Sequence, residues 1–393
     1  MNARIDAARS QTAAERHGTP LYIYDSQILQ ERCRALRDVL SGADLYYSLK
    51  ANPNPDVAAA LREFGCRVEV ASGGELERAV QAGYPPDTIL FIGPGKTRHE
   101  IRRAAELGVT RFVVDNEDEL RVLRDEAAVC TVTVRINPAF EATGGKLSMG
   151  GGKPKQFGVD RPRISEFVGK SRSMGIEVTG LHYYLGTRFL DARDIIANTQ
   201  QIIADAASIV AECELPLELL DMGGGFGVPY FENEDNLDLD VLTQGIQTCI
   251  AEARSEFPGA RLAFESGRYL TAESGQLVLE VLACKWSYGT RFCVCDGGTN
   301  VNLAAIGTGS LGKRNFPNYL VPRGPRAATE NPPGPVTVTG PLCTPDDTIL
   351  KAVQWEHAPQ AGDLVVLASV GAYGPSASPH SFLGHAYPTE VLI

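Results

Sequence analysis

The fold predicted by this sequence is α/β: a (β/α)8 barrel of the TIM type joined to a second, mostly β domain. Three observations predict it. Eight short apolar runs, near residues 45–49, 67–70, 89–92, 111–114, 131–136, 178–185, 217–221 and 261–264, alternate with helix-period segments over about 230 residues, the count and size of such a barrel. The residues of strongest chemical character stand at the ends of the first, seventh and eighth runs, and barrels of this kind carry their chemistry at the C-terminal ends of the strands. After Leu270 the runs come with Gly and Pro turns and little helix. A doubly wound sheet also alternates β and α, but it would not bring strands one, seven and eight together.

In chain order, Thr19–Asp25 (TPLYIYD) has the composition of a strand, bounded by Gly18-Thr19-Pro20 before and a helical stretch after. It is assigned to the second domain, so the barrel is an insertion. A helix over about Ser26–Leu40 leads into the first barrel strand, and further helices are predicted over Asp56–Phe64, Gly74–Ala82, His99–Leu107, Glu117–Glu126 and Asp194–Cys213. Strand-like runs follow at 277–285, 291–296, 335–340 and 363–369, with a Pro- and Gly-rich loop from Arg323 to Pro335. The expected domains are 26–270 for the barrel and 1–25 with 271–393 for the β domain.

Composition removes several classes of function. With 393 residues, 44% of them hydrophobic, the chain can bury a large core. A formal charge of -11 argues against nucleic acid, which demands a basic footprint. No run approaches the ~18 apolar residues of a membrane span, and Met1 to Gln11 is charged, without an apolar signal core. A cytoplasmic protein is therefore expected. The nine cysteines form no CxxC pair and no zinc-spaced cluster, so neither disulfides nor a metal site are expected. Cys293 and Cys295 alternate along one strand face and read as core packing.

The chemistry centres on Leu45–Pro53 (LYYSLKANP), an apolar run that delivers Lys50 to its end and then turns through Asn52 and Pro53. A lone strand-end lysine is ordinarily a solvated amine. Two later stretches give this one company. Asp221–Gly227 (DMGGGFG) carries Gly223, Gly224 and Gly225, whose backbone N–H groups can approach an anion without a Cβ in the way. Phe264–Arg268 (FESGR) sets the Glu265 carboxylate three residues from the Arg268 guanidinium, with Gly267 between, and the arginine can bond the same anion. An amine, a phosphate cradle, a carboxylate and an arginine are the parts that hold pyridoxal 5'-phosphate. A carboxylate beside the pyridine nitrogen keeps the ring protonated and makes the cofactor a strong electron sink, which suits loss of CO2 from Cα; a racemase needs less of this and can place a cation there. To react, Lys50 must be available unprotonated, which desolvation and neighbouring positive charge favour. Gly340–Asp347 (GPLCTPDD) presents the Cys343 thiol on a turn, a candidate proton donor to Cα.

At these residues the chain resembles the fold-type III pyridoxal-phosphate decarboxylases, the alanine-racemase-like group of diaminopimelate and ornithine decarboxylases. The matching stretches are YYSLKANPNP, VEVASGGELERA, VRINP, KQFGVD, DMGGGFGVPY, FESGRYL, GPLCTPDD and VGAYG. The resemblance implies a homodimer with active sites shared at the interface. It implies Lys50 as the Schiff-base lysine, and Gly223–Gly225 with Gly267, Arg268 and Tyr373 as the phosphate site. It further implies Glu265 as the partner of the pyridine nitrogen and Cys343 as the Cα proton donor, reaching into the neighbouring subunit's site. The family's ring-stacking histidine aligns with Tyr184, which can still stack as an aromatic, and its neighbouring serine aligns with Thr187. Thr187 and Asp347 are assigned to substrate by the same alignment.

Departures from the pattern bear on substrate. Diaminopimelate decarboxylases carry Cys-Glu-Ser-x-Asp and an Arg-Pro pair that grip the distal end of the substrate. Here the motif is Cys343-Thr344-Pro345-Asp346-Asp347, and Gly297 to Thr308 contains no Arg-Pro. With the C-terminal segment, these features resemble a narrower branch, that of the butirosin pathway, which acts on a glutamyl group tethered to an acyl carrier protein. An acidic carrier needs a basic landing area, for which Lys146, Lys153 and Lys155 in one loop, and Lys313, Arg314, Arg323 and Arg326 in another, are the candidates. The alternatives are decarboxylation of free meso-diaminopimelate, ornithine, arginine or lysine, or a silent regulator, which intact Lys50, Glu265, Arg268 and Cys343 disfavour.

Overall fold

The computed structural model describes residues 6–145, 147–148, 151–307, 313–324 and 334–393. Eight parallel strands follow one another round a closed barrel: β1 (Asp44–Ser48), β2 (Arg67–Val70), β3 (Ile89–Phe91), β4 (Arg111–Val114), β5 (Thr131–Asn137), β6 (Val178–Tyr183), β7 (Leu219–Asp221) and β8 (Arg261–Ser266). Closure is made by β8 on β1, with Glu265 opposite Tyr46 and Ser266 opposite Tyr47. The strands are almost wholly buried, which is why they read as continuous apolar runs rather than as an alternation. Tyr46, Leu90, Ile92, Val113, Leu219 and Ala263 pack together as one cluster of this core.

The outer helices start where the sequence supplies an acceptor for unpaired backbone N–H groups. Asn54 caps Pro55–Glu63, Ser72 caps Gly73–Gln81, and Thr97 with Glu100 forms a capping box at Arg98–Glu106. Asn116 and Asp191 do the same for Glu117–Glu126 and Ala192–Cys213. These polar residues at the strand-to-helix turns set the lengths of the loops at the barrel mouth.

In the second unit the 13-residue strand Gly275–Ser287 pairs with Leu364–Ala368, Thr290–Cys295 and Leu21–Tyr24. Leu21–Tyr24 also pairs, in parallel, with Thr389–Leu392. The early strand thus lies in the β unit, with barrel residues following it in the chain. Ala14, Leu21, Ile23, Val278, Val321, Leu364 and Val366 form one cluster of its core. Cys293 and Cys295 are fully buried there.

Boundaries differ from those read in the sequence. Gln30–Val228 with Asp235–Leu270 forms the barrel unit, and Met1–Leu29, Pro229–Glu234 and Thr271–Ile393 form the other. The six-residue excursion Pro229–Glu234 has a physical cause: Tyr230 and Phe231 pack their rings on Phe316, at centroid distances of 5.4 and 6.5 Å. Ala7–His17 is a helix that charge composition hid. Its N-cap is Asp6, Ser10 donates to Gln276 at 3.2 Å, and Ala14 enters the β core. Among the described residues no helix is long and apolar enough to cross a membrane.

Candidate active site at the mouth of the barrel

Lys50 lies one step beyond β1, in the single turn Leu49–Ala51 rather than on the strand itself. That turn is braced by Asn52 N–H donating to Leu49 O at 3.1 Å and by Tyr47 OH donating to Asn52 O at 2.6 Å. The amine points back over the barrel, where Lys50 Nζ donates to Glu69 Oε1 at 2.7 Å. The expected neighbouring positive charge is therefore not the amine's nearest charged partner; a carboxylate is. Glu69, on β2, is 1% exposed, and burial together with the nearby Glu265 charge pushes its carboxyl up to about 7. The Tyr184 ring stands close by, 5.7 Å from Lys50 Nζ and 5.9 Å from the guanidinium carbon of Arg135.

The glycines after β7 hold the cradle shape by close backbone contact. Gly223 and Gly225 have φ of +65° and +89°, and a Cβ on Gly224 would collide with the Glu265 carbonyl oxygen. Asp221 Oδ1 accepts from Gly223 N–H at 2.9 Å, and Glu265 N–H donates to Gly223 O at 2.7 Å, lacing the loop to β8. Gly267 serves a similar need: a Cβ there would come within 2.7 Å of Ala51 Cβ, so its absence lets the end of β8 close on the Lys50 turn. Arg268 follows at once, opening the short helix Arg268–Thr271.

Beneath this rim lies a buried acidic cluster. Glu265 on β8 and His182 on β6 are each 1% exposed, with His182 Nε2 3.0 Å from Glu265 Oε1. One ligating atom from each of His182, Asp221 and Glu265 falls within 4.8 Å of the others. Burial, then the Arg135 charge, pulls the His182 pKa down to about 3, and burial beside Glu265 holds the Asp221 carboxyl well above its usual range. Thr187 stands on the two-residue strand Gly186–Thr187, paired antiparallel with Leu147–Ser148.

The barrel thus gathers Lys50, Tyr184, Gly223, Gly224, Gly225, Glu265, Gly267 and Arg268 at its mouth. Cys343, Asp347 and Tyr373 belong to the β unit. Cys343 is exposed on its turn, and Tyr373 is half-buried with φ +56°. Asp347, assigned to substrate by the resemblance, has both its carboxylate oxygens hydrogen-bonded within the β unit. Oδ1 accepts from Thr299 N–H at 2.6 Å and from the Thr299 hydroxyl at 2.8 Å, while Oδ2 accepts from Leu342 N–H at 2.8 Å. Buried at 1% exposure, Asp347 holds the cysteine turn in place. Glu69, Asp221 and Arg135 went unassigned in the sequence, although a carboxylate inside the apolar run VEV was the available signal.

Pyridoxal phosphate fits what is present. A ring nitrogen needs a buried anion, which Glu265 offers; a phosphate needs Cβ-free backbone and a guanidinium, which the glycine run and Arg268 offer. Buried polar atoms without a hydrogen-bond partner, Glu69 Oε2, His182 Nδ1 and Asp221 Oδ2, line the same place. Fold and site together define a barrel enzyme that works with this cofactor. Residues 26–272 match the pyridoxal binding domain of the pyridoxal-dependent decarboxylases, and the chain belongs to that family. It is 36% identical to the L-glutamyl-[BtrI acyl-carrier protein] decarboxylase of Niallia circulans, over 99% of this chain and 92% of that protein. It is 30% identical to the 2-[(L-alanin-3-ylcarbamoyl)methyl]-2-hydroxybutanedioate decarboxylase of Staphylococcus aureus, over 98% and 96%. Among solved structures it resembles diaminopimelate decarboxylase from Helicobacter pylori complexed with L-lysine, with a TM-score of 0.82 and 28% identity, covering 98% of this chain and 93% of that one. The chain is a pyridoxal-phosphate-dependent amino-acid decarboxylase.

Proposed function

We propose that the substrate is a glutamyl-type amino acid tethered to an acyl carrier protein, or a comparably derivatised amino acid, in natural-product biosynthesis. The observation that carries this reading is the likeness, over nearly the whole chain, to a decarboxylase of L-glutamyl-carrier protein. The Thr344-Pro345 pair after Cys343, in place of the Glu-Ser of diaminopimelate decarboxylases, supports it. Bound pyridoxal phosphate supplies the sink for the electron pair left on Cα when CO2 departs. Around it, Lys50 Nζ holds the cofactor and yields to the substrate amine, with Glu69 at 2.7 Å to take or return a proton. Gly223–Gly225 and Arg268 bind the phosphate, Tyr184 covers the ring, Thr187 faces substrate, and Glu265 partners the ring nitrogen. The Cys343 thiol returns a proton to Cα, contributed by a second copy of the chain in a homodimer; its exposure on the β unit supports that assignment.

The basic landing area shrinks on inspection of partners. Lys146 and Arg326 lie outside the described residues. Lys153 pairs with Glu141 at 2.8 Å, Arg314 donates to Asn233 at 2.7 Å, and Arg323 lies 3.4 Å from Glu280. Exposed pairs of this kind are weak and re-form easily with a partner protein, so they remain compatible with carrier docking.

The test is a mass-spectrometric assay of the cofactor-loaded enzyme, comparing free amino acids with aminoacyl groups on a carrier protein. Loss of CO2 from the tethered form alone is the expected result. Efficient turnover of free diaminopimelate, ornithine, arginine or lysine, with the tethered form ignored, would overturn the substrate assignment while leaving the reaction class intact.

A further inference from the structure

His182 sits two residues before the position that the family resemblance assigns to the ring face, and that resemblance gives it no task. Its surroundings do. The side chain is 1% exposed, on β6 and inside the barrel, with Nε2 3.0 Å from Glu265 Oε1 and Nδ1 buried without a hydrogen-bond partner. These facts fix the tautomer by elimination. A proton on Nδ1 would bury a donor with nothing to accept it and would set the Nε2 lone pair against a carboxylate oxygen, two unfavourable contacts at once. A proton on Nε2 alone makes a charge-assisted bond to Glu265 and leaves Nδ1 as a bare acceptor, the cheaper atom to leave unpaired. The doubly protonated ring would orphan the Nδ1 donor and place a second cation near Arg135.

The titratable and charged groups that face the imidazole are Glu265, Asp221, Arg135, Glu69, Asp115 and Lys50. Burial and Arg135 outweigh the carboxylates, and the pKa falls to about 3, so the ring is neutral across the working range. A neutral ring whose Nε2 can only donate is a fixed dipole directed at one oxygen of Glu265. That matters because Glu265 is crowded by acid. Burial raises the carboxyls of Asp221 and Glu69, and the Glu265 charge adds to the rise in both. Without that donor, the Glu265 carboxylate loses the hydrogen bond that orients it among like-charged neighbours.

We propose that His182 is the positioning residue for Glu265: its Nε2–H holds that carboxylate in one orientation for the pyridine nitrogen of the bound cofactor. The proposal rests on the reading of Glu265 as the ring-nitrogen partner.

The experiment compares holoenzyme carrying His182→Leu, which removes the donor, with His182→Gln, whose amide N–H can replace it, and with Glu265→Gln. The readouts are the visible absorption band of the bound cofactor and its titration between pH 5 and 9, the cofactor dissociation constant, and kcat and KM measured separately. His182→Leu is expected to shift the band and its titration, to weaken cofactor binding about tenfold or more, as loss of an orienting partner typically does, and to lower kcat rather than raise KM. His182→Gln is expected to return most of each. If His182→Leu does not fold, His182→Asn, whose shorter amide falls short of Glu265, takes its place. A wild-type band and titration in the donor-less variant, or failure of the glutamine to rescue a folded protein, overturns the proposal. If Glu265→Gln moves the spectrum and His182→Leu does not, the role of Glu265 stands and that of His182 falls. If Glu265→Gln moves nothing, the reading of Glu265 itself is wrong.

Discussion

At the mouth of the barrel, Lys50 bonds Glu69, His182 bonds Glu265, and Asp221 lies within 4.8 Å of the last two, every one but the lysine at most 1% exposed. In the β unit the Cys343 thiol stands exposed on a turn, with Asp347 buried behind it. The first set is a web in which each charge alters its neighbours; the second is one reactive atom on a scaffold. Substitutions in the barrel are therefore expected to disturb cofactor binding and titration together, whereas substitutions at the cysteine turn are expected to touch turnover alone.

The largest expected effect sharpens the barrel side. Lys50→Ala removes the amine, and turnover is expected to fall to background. Reduction with borohydride followed by denaturation and mass measurement is expected to leave the cofactor attached to the wild-type chain and not to the variant. Retained mass in the variant would place the attachment on another lysine. On the other side, Cys343→Ala is expected to keep the cofactor and its spectrum while turnover drops by about 10²–10⁴-fold, the usual range for losing a general acid. Undiminished turnover would remove the thiol from the mechanism and break the comparison at its weaker end.

The barrel was legible because its strands are short, apolar and separated by capped helices: all eight lie within a few residues of the runs read in the sequence, and Glu117–Glu126 is a helix over the same residues. The helix Ala7–His17 was not legible, because its partners Gln276 and Tyr319 lie far along the chain and it buries only two small residues, Ser10 and Ala14, among charged ones. The same reason hid the site's interior. Glu69, Asp221 and His182 acquire their meaning from one another across β2, β7 and β6, and no local pattern joins them. Asp347 shows the same limit: its place in a cysteine motif suggests chemistry, while its hydrogen bonds to Thr299 and Leu342, a structural task, come from residues that the motif does not contain or mark.

That task gives a smaller prediction. Asp347→Asn keeps the shape but replaces one acceptor oxygen with a donor facing either the Thr299 amide or the Leu342 amide. Leaving a buried backbone N–H unmatched costs about 1–3 kcal/mol, which a urea melt of the purified protein would read. Turnover is expected to fall less than in Cys343→Ala, since the thiol remains but its turn loosens. A loss as large as that of the cysteine variant, with stability unchanged, would return Asp347 to the substrate.

The smallest effect is a slope with pH. Glu69 titrates at about 7 in the folded chain against 4.5 for an ordinary glutamate, so between those values the folded state holds a proton that the unfolded state has lost. Its contribution to stability is complete below pH 4.5 and fades as pH rises through 7, an effect bounded at about 3 kcal/mol by the size of the shift. His182 runs the other way: at about 3 against 6.5, its contribution is complete above pH 6.5 and fades as pH falls. From pH 4.5 to 6.5 the two slopes oppose and partly cancel in the wild-type chain. Removing Glu69 as Glu69→Gln is expected to leave the histidine slope uncovered, so that stability of the cofactor-free protein climbs more steeply with pH across that window. Asp221, whose raised carboxyl acts in the same sense as Glu69, stays in both proteins; losing the Glu69 charge relaxes that carboxyl downward, which steepens the climb in the same direction. Parallel urea curves for the two proteins from pH 4.5 to 7 would mean that Glu69 is ionised throughout, and the acidic web would then owe its stability to the lysine alone.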